Sequence, residues 1–182
     1  MAVEYISYIQ TENLFKSWPT IQGIKESLSL ELKALEVKSS EEIDDYIYTQ
    51  VVGNKVLSDT PPSGKISDST GNTSTSYHQV VNRDYYSTLE AIKKEKFCIE
   101  LVDDKLEIAY RRLNLLQQKI LRLFYLEKKV WAEVVEELNK EKYFLSKQQA
   151  QCQRRESIYK IQSISKITVE TYMQVMRLVE VE

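Results

Sequence analysis

The apolar residues of this chain recur at helical rather than strand spacing. Ile21, Ile24, Leu28, Leu32 and Leu35 keep three- and four-residue steps behind Pro19, a residue suited to a first helical turn. An amphipathic helix is therefore predicted over 19–38, and a shorter one over 3–16. Ser39 and Glu42 have the spacing of a capping box, so a further helix is predicted over 41–52. Its acidic start, Glu41, Glu42, Asp44 and Asp45, complements the helix dipole. No histidine or other ligand accompanies those carboxylates, so the dipole reading is preferred to a metal or acid–base site. A long helix is predicted from Asp84 to Arg112. Ile99, Val102, Leu106, Ala109, Leu113 and Leu116 follow the alternating steps of a heptad seam. The seam is expected to pack on the 19–38 helix, with a homodimer through Ile99–Leu116 as the alternative.

Beyond Asn114 the pattern shortens into three segments. The first, 115–126, would bury Leu116, Ile120, Leu123 and Phe124. A turn over 127–130 follows, and a second helix from Trp131 would bury Val134, Val135 and Leu138. Ser146 has the position of an N-cap for a third helix over 147–161, whose apolar positions are only Ala150, Ile158 and Ile161. The rest of that helix is basic and rich in amides. Amide and guanidinium groups make paired hydrogen bonds with adenine and guanine edges, and cations neutralise phosphates. Two short helices with a core, followed by a polar cationic one, is the layout of a helix-turn-helix. Lys147, Gln148, Gln149, Gln151, Arg154 and Arg155 become the candidate contacts to double-stranded DNA, with Ser146 as the cap of the reading helix. A lone basic helix is more often a solvated face; the two preceding helices at this spacing favour the DNA reading.

Charge sharpens the picture. The net charge is −2, but residues 1–60 are acidic, 78–139 are balanced, and 140–166 hold seven cations against two carboxylates. A slightly acidic protein is no bulk nucleic-acid binder, yet it can bind locally where cations share a face. Gly and Pro are scarce, which disfavours many-stranded folds. They gather with Ser, Thr and Asn in 53–76, the one linker-like stretch. Gly64 and Gly71 are not followed by the Lys and Ser/Thr of a phosphate-binding loop. His78 is the sole histidine, and Cys98 and Cys152 have no metal-like or redox-like spacing. No metal, cofactor or catalytic residue is expected, and the chain is not expected to be an enzyme. No apolar run approaches the roughly 18–20 residues of a membrane span, and the N-terminus lacks the pattern of a signal peptide. A cytoplasmic protein is expected.

The stretch QQKILRLFYLEKKVWAEVVEEL, followed by LSKQQAQCQRRESIYKI, resembles the helix-turn-helix of sigma-factor region four. It is most similar to the small sigma-like regulators of phages and prophages, the ArpU and RinA type. Leu123–Tyr125, Trp131, Glu133, Val134, Leu138, Ser146, Ile158, Lys160 and Ile161 carry the match, and KISDSTGNTS is similar to a stretch upstream in such proteins. The resemblance implies a transcriptional regulator of a mobile element that reads promoter DNA and contacts RNA polymerase. Three departures stand out. Val130 replaces the usual capping Ser or Thr, and Val135 replaces a small residue where two helices approach. The link from Leu138 to Ser146 is about four residues longer than the pattern, which would extend the second helix by a turn, through Lys142.

The expected architecture is all-α: an acidic N-terminal helical region (1–56), a linker (57–76), a long central helix (77–113), a helix-turn-helix unit (114–162) and a tail with a short helix (163–182). The competing function is a protein-interaction or adaptor module whose acidic N-terminal helices bind a partner, or a stand-alone dimeric regulator.

Overall fold

A computed structural model of the chain describes residues 3–53 and 69–180. Among them the fold is all-α, with no strand beyond an isolated antiparallel bridge between Tyr5 and Thr168. The helices are α1 (Tyr8–Lys16), α2 (Trp18–Gly53), α3 (Ser69–Arg111), α4 (Leu115–Leu121), α5 (Trp131–Lys140), α6 (Lys147–Ser165) and α7 (Val169–Glu180). A π-helical turn, Arg122–Leu126, extends α4. None of these helices is long and apolar enough to cross a membrane.

Two expectations about the N-terminal half are corrected. The backbone runs as one helix through Ser39 and Glu42, so no break separates 19–38 from 41–52. A capping-box spacing starts a helix only where the preceding turn ends, and no Gly or Pro lies between Leu35 and Gly53 to end it. The central helix begins at Ser69, ahead of both the Asp84 start and the 77 boundary that were expected. Ser, Thr, Asn and Gly are poor helix formers, but adding turns to an existing helix costs far less than nucleating one. The remainder of the expected linker, 54–68, lies outside the described residues. So do the side chains of Glu41, Glu42, Asp44 and Asp45.

The described chain divides into two compact units, Met1–Glu26 with Glu95–Glu182, and Ser27–Lys94. In the second, Leu28 and Leu32 are buried, and the Tyr85 hydroxyl donates to the Leu35 carbonyl at 3.1 Å. The first holds the larger core. Within it the seam positions Ile99, Val102, Leu106, Ala109 and Leu113 are all buried inside the single chain, as are Ile21 and Ile24 from the start of α2. Asp103 lies on the same face of α3 and is buried with them. Its carboxylate accepts from Trp18 Nε1 and from Lys25 Nζ, both at 2.7 Å. Burial alone would push this carboxyl up. The hydrogen bonds from Lys25 and Trp18 and the Lys25 charge outweigh it and hold Asp103 below its ordinary value.

The N-terminal segment closes the same unit from the other side. The Ile6 N–H donates to the Ile167 carbonyl, and the Val169 N–H donates to the Glu4 carbonyl, both at 3.1 Å. Ser7 and Gln10 form a capping box that starts α1. Helix α1 then packs on the π turn, α6 and α7. Its Phe15 sits in an aromatic cluster with Trp18, Tyr110 and Tyr125, ring centroids 5.2–5.9 Å apart.

Candidate nucleic-acid interface

Helices α4, α5 and α6 share one small core. Ile120, Leu123, Val134, Leu138 and Ala150 are buried, with Leu116, Phe124, Trp131, Val135 and Leu145 packed around them. Asn114 caps α4 by accepting from the Gln117 N–H at 2.8 Å. The π turn that follows widens the helix, so Leu123 and Tyr125 are both buried while Phe124, between them, stacks on Trp131 at 4.5 Å. Helix α5 starts without a side-chain cap, since Val130 has no acceptor. Half of a capping box remains, the Val130 N–H donating to Glu133 Oε2 at 3.2 Å.

The link from α5 to α6 corrects a further expectation. The additional residues do not lengthen α5, which ends at Lys140. They form a turn in which Lys142 (φ 67°) and Phe144 (φ 46°) are left-handed. The Tyr143 N–H reaches back to the Leu138 carbonyl at 3.1 Å, and the Lys142 N–H to the Asn139 carbonyl at 3.0 Å. That is a Schellman closure with Lys142 in the place usually taken by Gly, at a cost of about 1 kcal/mol. Asn139 Oδ1 then accepts from the Leu145 N–H at 3.0 Å and fixes the exit of the turn. Ser146 is the N-cap of α6 and forms a full capping box with Gln149.

The turn and α6 bring together part of the sequence-derived site and divert the rest. Lys147, Gln148 and Arg155 are exposed, and Gln151 is half-buried. Gln148, Cys152, Arg155 and Tyr159 recur at helical spacing and form the outer stripe of α6. Gln149 is exposed, but its side-chain carbonyl is bound to the Ser146 N–H at 2.8 Å, so it serves the cap. Arg154 departs most from the sequence reading. Its guanidinium lies 3.1 Å from Glu12 of α1 and 3.2 Å from the Tyr125 hydroxyl, over the Phe124 and Tyr125 rings. It faces the interior because it lies one turn from the buried Ala150, Ser157 and Ile158, on the same side of α6.

The Glu12 carboxylate also accepts from the Tyr125 hydroxyl at 2.8 Å. Burial would raise its pKa, but the Tyr125 hydrogen bond and the Arg154 and Lys16 charges prevail and lower it. Burial, reinforced by the bond to Glu12, pushes the Tyr125 hydroxyl well up. Sequence reasoning also missed Gln117. It is buried, donates to Gln153 at 3.3 Å and accepts from Lys160 at 3.1 Å, fastening α4 to α6.

Ion pairing separates the cations of this unit into two groups. Lys119 pairs with Glu141, Arg122 with Glu127, Lys129 with Glu127 and Glu137, and Lys140 with Glu136. Among the described residues, Lys142, Lys147 and Arg155 have no carboxylate partner, and Lys160 holds only the neutral Gln117. Lys128, exposed on the turn before α5, also lacks a carboxylate partner among the described residues, so most but not all of the uncompensated charge lies on the α5–α6 turn and on α6. A groove of about 560 Å³ opens beside it, lined by Leu116, Leu145, Ser146, Gln148, Gln149, Cys152 and Gln153. No protein-family model, curated protein or solved structure matches the chain.

Proposed function

We propose that the α4–α5–α6 unit is a helix-turn-helix that binds duplex DNA, and that the protein is a transcriptional regulator of the phage and prophage kind its sequence resembles. The observation that carries this reading is the distribution of charge. Most cations on α5 and the preceding turn are neutralised by neighbours, Lys128 excepted, while those on the α5–α6 turn and α6, apart from Arg154, are left open beside exposed amides. Uncompensated Lys and Arg supply phosphate contacts, and the exposed amide of Gln148, the second residue of α6, suits contact with base edges. The contact set narrows to Lys142, Lys147, Gln148, Gln151 and Arg155. Arg154 and Gln149 act as supports.

A single reading helix covers few base pairs, and most such proteins dimerise to double the site. The Ile99–Leu113 seam is buried within one chain, so a homodimer through it is not part of the proposal. We propose instead that RNA polymerase supplies the second attachment, raising apparent affinity by linking two sites. The test is selection of bound duplexes from a random pool, with and without polymerase. The reading expects one enriched sequence, held more tightly when polymerase is present. Recovery of unenriched DNA would count against it.

A further inference from the structure

We propose that Phe144 is a specificity contact for DNA, its ring packing on the C5-methyl of a thymine in the major groove. This rests on the DNA-binding reading and adds the group that is recognised. Phe144 is 77% exposed, in the turn immediately ahead of α6. Its backbone is left-handed, a conformation rare for bulky residues and one that Gly or Asn would adopt at lower cost. Neither burial nor backbone preference accounts for a phenyl ring at this position.

The backbone that carries the ring is also held in place. Asn139 Oδ1 binds the next residue's N–H, and the Tyr143 N–H closes on Leu138. The ring therefore stands on a fixed turn rather than on a loose loop. The turn's own cations decide the occupant. Lys142 and Lys147 flank Phe144 along the chain, both exposed and, among the described residues, without a carboxylate partner. An apolar group framed by open positive charge complements a polyanion that carries an apolar feature. In the major groove that feature is the thymine methyl, and Phe is one of the side chains that contacts it.

The experiment compares wild type, Phe144→Ala and Phe144→Gly on a duplex selected by the wild type, and on copies in which deoxyuridine replaces one thymine at a time. Uracil lacks only the methyl. Both variants should bind about tenfold more weakly, the loss of one to two buried methylene-sized contacts. One or two uracil substitutions should weaken wild type about fourfold and leave both variants unchanged. Phe144→Gly suits the left-handed backbone, so its melting temperature should equal or exceed that of wild type, and weaker binding by it cannot come from unfolding. Wild-type affinity in Phe144→Gly, or uracil sensitivity that persists in it, overturns this inference and leaves the DNA reading intact. Sedimentation showing that Phe144→Gly abolishes self-association assigns the ring to a second copy and also overturns it. Failure of wild type to bind any duplex overturns the DNA reading itself, a distinct result because no wild-type complex then exists.

Discussion

Arg154 of α6 and Glu12 of α1, 142 positions apart, form an ion pair at 3.1 Å, with both side chains largely buried. The contact gives a residue that resembles a DNA ligand in the sequence a structural role in the fold.

Arg154 and its neighbour Arg155 should consequently behave as opposites. Arg154→Ala leaves the Glu12 carboxylate with only the Tyr125 hydroxyl and the exposed Lys16 and should cost about 1–2 kcal/mol of stability. Arg155→Ala, at an exposed position, should stay within about 0.5 kcal/mol of wild type. A double-mutant cycle of Glu12→Gln with Arg154→Ala, read by urea unfolding, should show coupling above about 0.5 kcal/mol. Additive effects would mean that the pair contributes nothing.

Glu12 and Asp103 make stability sensitive to acid. Both have folded-state pKa values below their ordinary 4.5 and 3.8, so the unfolded chain binds protons first as pH falls. Their contribution is complete above those ordinary values and is lost as pH falls through the lowered folded ones. Asp103→Asn should cost about 2 kcal/mol at pH 7, and the gap from wild type should narrow toward pH 3. Thermal melts at the two pH values check this; a constant gap contradicts it.

Ser146→Ala removes one half of the α6 capping box and should lower stability by about 1 kcal/mol. On the proposed function it should weaken DNA binding as well, since the proposed contacts Lys147 and Gln148 are the first two residues of the helix. An unchanged melting temperature would deny Ser146 the capping role seen here.

Much of the fold follows from apolar spacing. The positions Ile99, Val102, Leu106, Ala109 and Leu113 are visible in the sequence because one face must be buried at helical period. Asp103 was equally legible, being four residues from Ile99 and three from Leu106. The unbroken α2 could have been read from the lack of Gly or Pro between Leu35 and Gly53. The Glu12–Arg154 pair had no local signal, because nothing in either neighbourhood specifies a partner so far away in the chain. The α5–α6 turn was hidden for another reason. Lys142 and Phe144 occupy left-handed positions that composition assigns to Gly or Asn, so the segment reads as more helix.

The salt dependence of DNA binding tests the central claim most directly. With about three phosphate contacts from Lys142, Lys147 and Arg155, log K against log salt should fall with a slope near −3 on the selected duplex. Lys147→Ala with Arg155→Ala should reduce that slope to about −1 while the melting temperature holds. A slope that the double variant leaves unchanged, or wild-type binding insensitive to salt, would contradict the account.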